Sequence, residues 1–152
     1  MKMAAWKLVN SENVEPFVCD DVYSSKMLTG DEMAEHQVIN INEGTLKPGG
    51  TTRAEGRGGV HEETEIYYII EGQGDVVLDD VHVPVKAEDI IVIPGGTWHW
   101  IDNSKSDKPF RLFTLWPKQE QNGVFHERLK AWGTSVKYID GDYTKKRIGG
   151  KK

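Results

Sequence analysis

The side chains best suited to chemistry lie in two short stretches of the 152-residue chain. GRGGVHEETEIYYIIEG (56–72) places His61 and Glu65 four residues apart, running into Tyr67-Tyr68-Ile69-Ile70 and a turn at Gly72. PGGTWHWID (94–102) carries His99 just after a turn that Pro94-Gly95-Gly96 would tighten. Successive strand residues alternate faces, so His61, Glu65, Tyr67 and Ile69 can point one way while Tyr68 and Ile70 point the other. Two imidazoles and a carboxylate, if they converge, suit zinc, iron, nickel or manganese. The same trio matches the composition of a 2-His-1-carboxylate triad, which leaves coordination positions open.

The elements that must position these groups read as strands. HQVININEGTL alternates apolar and polar side chains and ends at the turn Lys47-Pro48-Gly49-Gly50. A glycine-rich loop, TTRAEGRGG, follows. Then come ETEIYYIIE, GQGDVVL, an Asp-Asp turn, VHVPV, DIIVI, PGGTWHWID and PFRLFTLW. Short strands at fairly even spacing point to an antiparallel sandwich or barrel rather than βαβ units. Residues 1–35 are mixed, with extended candidates at Lys7–Val9 and Glu15–Val18, and form an N-terminal extension. Residues 36–118 are the barrel, and 119–152 a helix and tail of the same single domain. The helix is expected in GVFHERLKAWG, with Val124, Leu129 and Trp132 on one face and Gly133 as its stop. Lys145, Lys146, Arg147, Lys151 and Lys152 read as a frayed, solvated tail.

Composition bounds the function classes. The chain is 38% hydrophobic and 28% charged, as expected for one globular core, and its net charge of −5 argues against a nucleic-acid binder. Cys19 is the single cysteine, so no internal disulfide is possible and a reducing compartment is the easier assumption. No apolar run approaches membrane-spanning length, and MKMAAWKLVNSENVEP turns polar too early for a signal peptide. The expectation is a cytoplasmic protein with neither membrane nor nucleic-acid partner.

Over residues 44–116 the sequence resembles a small single-domain cupin. The first cupin motif runs G-x5-H-x-H-x3–4-E-x6-G, and His61, Glu65 and Gly72 match its second half. The second runs G-x5-P-x-G-x2-H-x3-N, and Pro94, Gly96, His99 and Asn103 match it, with Glu88 in place of the leading glycine. Fifteen residues (73–87) separate the motifs, similar to the short spacer of microbial cupins. The resemblance implies an all-β, double-stranded β-helix jelly-roll barrel, a divalent transition metal held by His61, Glu65 and His99, and a homodimer. Gly59 departs from the pattern, since cupins with the full first motif carry a histidine there. The lead-in is longer too, with eight residues between Gly50 and Gly59 instead of five. Three outcomes are open: three protein ligands plus water, a histidine from elsewhere such as His36, or a decayed site.

Other residues carry paired expectations. Tyr67 is either a core filler or a phenol near the site, and Glu62 and Glu63 are either solvated or acids and bases at the mouth. Arg53 and Arg57 sit in the glycine-rich loop, where they would grip a substrate carboxylate or phosphate or simply be solvated. Arg111, Phe113 and Leu115 alternate on the last strand against Leu112, Thr114 and Trp116, and one set must line the pocket. Trp98 and Trp100 flank His99 on the opposite strand face. His82 in its hairpin and His126 on the late helix are expected at the surface. The functional expectation is a metal-dependent enzyme acting on a small oxygen-rich molecule, by isomerisation, lyase or dioxygenase chemistry. The alternative is a non-catalytic small-ligand-binding barrel with a weakened metal site. A sensor domain parted from a DNA-binding partner is disfavoured, because no helix pair of that kind is present.

Overall fold

The structure, a computed structural model, describes residues 8–14, 16, 18–19, 21–29, 39–53, 59–117, 134–139 and 143–148, with backbone alone at 18–19 and in the last two segments. The expected helix at 123–133, His36, Arg57 and His126 lie outside the described residues. Among those described the chain is almost wholly β, apart from one 3-10 turn at Ser11–Asn13.

Strands β1 (Leu8–Val9), β2 (Val18–Cys19), β3 (Tyr23–Met27) and β4 (Ile39–Leu46) precede the glycine-rich loop. After it come β5 (Glu65–Glu71), β6 (Gln73–Leu78), β7 (Val81–Lys86), β8 (Ile90–Ile93), β9 (His99–Asp102) and β10 (Phe110–Pro117), all where the sequence places strands. Strands β11 (Thr134–Ile139) and β12 (Tyr143–Ile148) follow. A six-stranded sheet has the order β2-β3-β4-β10-β5-β8, and a three-stranded sheet has the order β7-β6-β9. A third sheet joins β1, β11 and β12. Lys145, Lys146 and Arg147 therefore belong to a paired strand and not to a frayed tail; antiparallel pairing with Lys137, Val136 and Ser135 of β11 supplies partners for their backbone groups.

Turns fix the registers. The β6–β7 hairpin closes over Asp79 and Asp80, with φ of 45° and 66°, the positive pair that a tight two-residue hairpin demands and that aspartate tolerates. Glu88, standing where the family pattern has glycine, has φ 73°, so the local backbone does ask for the left-handed region.

The barrel interior is layered along its length. Phe110 stands opposite Leu46, and Leu112 opposite Ile69. With Val76, Val85, Ile93 and Ile101 they make the apolar core, and most of these side chains have no solvent contact. One step further along, Thr114 stands opposite Asn42 on one side and Tyr67 on the other. All three are buried. The inward face of β4 is thus Asn40, Asn42, Gly44 and Leu46, while Ile39 is exposed. Asn42 tolerates burial because Ser25 Oγ donates to its Oδ1 at 2.6 Å and its Nδ2 donates to Thr114 Oγ1 at 3.4 Å. On β10 the inward set is Phe110, Leu112 and Thr114, leaving Arg111 and Phe113 on the outer face.

Candidate metal centre

The polar end of the barrel gathers His61, Glu65 and His99. Two backbone devices set them there. Gly59 and His99 exchange both main-chain hydrogen bonds, at 3.0 and 2.9 Å, which ties the lead-in of β5 to the start of β9. The Pro94-Gly95-Gly96 turn packs on the same lead-in: Gly96 N donates to the His61 carbonyl at 2.7 Å. A Cβ on Gly95 would run into the Glu62 carbonyl, and Gly96 has φ 81°, so close approach and backbone conformation each require glycine. Asn103, the last residue of the second motif, braces the loops by donating Nδ2 to the carbonyls of Lys47 and Lys108 at 3.0 and 2.8 Å.

Both imidazole Nε2 atoms face one carboxylate oxygen. His61 Nε2 lies 3.1 Å and His99 Nε2 3.0 Å from Glu65 Oε2. The ring centroids are 5.0 Å apart and nearly perpendicular. The other nitrogens decide the tautomers. His61 Nδ1 lies 2.9 Å from the Glu63 carbonyl and His99 Nδ1 2.9 Å from the Thr97 carbonyl. A carbonyl oxygen only accepts, so each Nδ1 carries the hydrogen and each neutral Nε2 presents a lone pair. Two lone pairs and a carboxylate then converge on one point, an arrangement that repels itself unless a cation, proton or metal, lies between them. The donor set therefore fits a divalent transition metal, with the backbone carbonyls holding ring orientation as outer partners do in metal sites.

The electrostatics agree. The hydrogen bond to Glu65 pushes the His61 pKa above 6.5, against the opposing effect of burial. Burial pushes the Glu65 carboxyl up, but hydrogen bonds from His61 and His99 together outweigh it and hold the group below 4.5.

The remaining candidates are distributed as follows. Tyr67 is buried next to Glu65 on the inward face, its ring 6.1 Å from His99. Glu63 is half-buried, with Oε2 3.5 Å from His61 Nδ1, the nitrogen turned away from Glu65. Glu62 is exposed. Arg53 is exposed and sits 5.3 Å over the Trp100 ring, on the strand face opposite His99. Arg111 is on the outer face of the large sheet, forked between Glu71 at 2.9 Å and Glu43 at 3.0 Å. The structure thus brings Tyr67 to His61, Glu65 and His99 and does not bring Arg53 or Arg111, because the Arg53 guanidinium lies over Trp100 and that of Arg111 is held by Glu43 and Glu71. Trp98 is exposed and Trp100 buried against Arg53 and His82.

Sequence reasoning missed the Ser25-Asn42-Thr114 row. The alternation of INI in β4 fits either face inward, and only the pairing with β10 decides it. The carbonyls of Glu63 and Thr97 carry no sequence signal at all.

The Cupin_2 family model, described as a cupin domain, matches residues 42–116. Residues 42–116 are a cupin domain. Among solved structures the chain is similar to a predicted oxalate decarboxylase from Thermotoga maritima, with 23% identity, TM-score 0.62, and 74% of this chain and 99% of that one covered. It is also similar to the polyketide cyclase RemF from Streptomyces resistomycificus, at 20% identity and TM-score 0.63 over 74% and 79% of the two chains. An RmlC-like cupin from Shewanella frigidimarina aligns at 16% identity and TM-score 0.57, over 74% and 91%. These likenesses establish the fold. A search of curated proteins gave no significant match. Among the described residues no helix is long and apolar enough to cross a membrane.

Proposed function

We propose that this cupin is a metal-dependent enzyme acting on a small oxygen-rich molecule, a sugar derivative or organic acid, inside the barrel. The observation that carries the proposal is the convergence of His61 Nε2, His99 Nε2 and Glu65 Oε2 with both Nδ1 atoms locked by carbonyls. His61, Glu65 and His99 would hold the ion, which when bound would supply Lewis acidity toward a substrate carbonyl or hydroxyl.

The chain's own residues have separable parts in this proposal. Glu65 stays ionised and offers the site its one negative charge. Tyr67, whose ring stands 6.1 Å from that of His99, is our candidate to hold or pass a proton at its phenol oxygen. Glu63 backs His61 on the Nδ1 side, which makes it a positioning group rather than a proton donor to the interior. Asn42 and Thr114 give the interior hydrogen-bonding groups suited to a hydroxylated ligand, while the apolar layers from Leu112 to Phe110 close the far end. Similar structures include a predicted oxalate decarboxylase and a polyketide cyclase, which is compatible with this class. Isomerisation, lyase chemistry and dioxygenation all use such a site.

The alternative, a non-catalytic binding barrel, is favoured by one observation: position 59 offers no side chain to the site. Metal analysis of the purified protein and of His99→Ala separates the two. The enzyme proposal expects about one equivalent of metal in the barrel and its loss in the variant, with thermal unfolding little changed. If the native protein neither co-purifies with nor binds metal at the barrel, the proposal in this form is wrong.

A further inference from the structure

Gly59 is unlike the other glycines around the site. Gly95 is pressed against the Glu62 carbonyl and Gly96 has φ 81°, but a Cβ at position 59 would meet no atom within 4 Å, and the backbone there lies outside the left-handed region. Neither close approach nor backbone conformation asks for glycine at this place. What the missing side chain leaves is room, and the pairing of Gly59 with His99 says where that room is. The two are direct antiparallel partners, so a side chain at 59 would share the face on which His99 points at Glu65. Their two main-chain hydrogen bonds, at 3.0 and 2.9 Å, keep the space from closing. Gly59 and His61 are half-buried while Glu65 and His99 are buried, so the centre is approached from the lead-in of β5.

We propose that the barrel centre takes a small carboxylic acid with a hydroxyl or keto oxygen on the adjacent carbon, bound through both oxygens, and that Gly59 is the residue that makes room for this chelating pair. The inference deepens the enzyme proposal and rests on its metal. A 2-His-1-carboxylate donor set leaves more than one coordination position open. Two oxygens on neighbouring carbons suit adjacent positions, and the second then binds as an intramolecular step.

Charge selects the acid. The tautomers leave both imidazoles neutral, so Glu65 is the one anion of the three ligands, and a divalent ion held there keeps a net positive charge. Neither described arginine with a possible role in substrate binding offers an incoming carboxylate a partner. Arg53 lies over Trp100, and Arg111 is held by Glu43 and Glu71. Glu63 stands on the Nδ1 side of His61 and is partly solvated. A monoanion therefore finds its counter-charge at the centre itself. A neutral polyol leaves that charge unanswered in a largely buried site, and a dianion reverses it.

Calorimetric titration of the cobalt-loaded protein tests this, with glycolate, acetate and ethylene glycol as probes. Glycolate is expected to bind at least about tenfold more tightly than acetate, through its second oxygen, and ethylene glycol more weakly than either. Gly59→Val fills the space without offering a ligand, and should keep its cobalt while losing the preference for glycolate over acetate. If Gly59→Val does not fold, the ranking of the three probes on the native protein carries the test. Protein that takes up no cobalt at the barrel overturns the enzyme proposal and this inference together. Protein that takes it up but binds glycolate no more tightly than acetate or ethylene glycol overturns this inference alone. So does a Gly59→Val variant that retains the full preference.

Discussion

Gly59→His is expected to convert a three-ligand centre into a four-ligand one. Gly59 and His99 are a directly hydrogen-bonded antiparallel pair, so their side-chain directions share a face and their Cβ atoms would lie about 4.5–5.5 Å apart. An ideal Cβ at position 59 meets no atom within 4 Å, and the φ there is not in the left-handed region. An imidazole built at this place therefore stands beside His99 and reaches toward Glu65 without displacing anything. Four-ligand zinc sites contribute about 10–16 kcal/mol, roughly 3 kcal/mol per ligand. Ordering the new side chain costs about 1 kcal/mol. A net gain of about 1.5–2 kcal/mol corresponds to roughly 10–30-fold tighter binding. Competition with a chromophoric chelator measures this directly, with Gly59→Ala as the control expected to leave affinity unchanged. If Gly59→His folds with an unaltered melt and binds zinc no more tightly than the native chain, the geometry argued for position 59 is wrong.

Other outcomes follow from the same structure. Metal affinity should begin to fall at a pH above 6.5 and drop about tenfold per unit below the raised His61 pKa, because a ligating imidazole must be neutral. Glu65, held below 4.5, adds to the loss only in more acidic solution, and a zinc affinity that is flat down to pH 6 would contradict this. In the metal-free protein the sign reverses: the His61–Glu65 interaction contributes fully below pH 6.5 and is lost as pH rises through the raised pKa. Glu88→Gly should stabilise the fold by about 0.5–1 kcal/mol, since left-handed backbone costs a side-chain-bearing residue about 1–2 kcal/mol and glycine's extra unfolded freedom returns only part of that. Urea unfolding midpoints read it, and a lower midpoint would count against the strain. We also expect a homodimer, formed through the exposed apolar stripe where Ile66 pairs with Val92 and Tyr68 with Ile90 at the β8 edge of the large sheet. Ile66→Glu with Val92→Glu should then give monomer by light scattering without loss of metal, and a native protein already monomeric at high concentration would refute the interface.

What the sequence disclosed was where the strands lie and that His61, Glu65 and His99 could converge, because both are carried by period and by spacing. The alternation in EIYYIIE placed Glu65, Tyr67 and Ile69 inward, and the burial of β5 agrees. Glycines gave equally sure signals, with Gly96 and the Glu88 exception both falling at positive φ. Facing was not disclosed wherever polar and apolar sets alternate without a known partner, as in β4, where burial of Asn40 and Asn42 is decided by strands far away in sequence. The surroundings of Arg111 were undisclosed for a related reason: it is held by Glu43 and Glu71, which lie 68 and 40 residues away. Nor did YSSKM announce β3, whose pairing with β4 substitutes for a weak local pattern.

The division of the barrel interior has a kinetic consequence. Layers built from Phe110, Leu46, Leu112, Ile69 and Val76 are dry and interlocked, so their amides should exchange with solvent only when the whole domain opens. The end that holds Asn42, Thr114 and the imidazoles is joined by a few hydrogen bonds and by the two-bond clasp between Gly59 and His99. Separation there exposes little apolar surface, and it proceeds without disturbing the closed end. Local opening at that rim is therefore expected to need less free energy than unfolding, and its amides to exchange faster than those of the apolar layers.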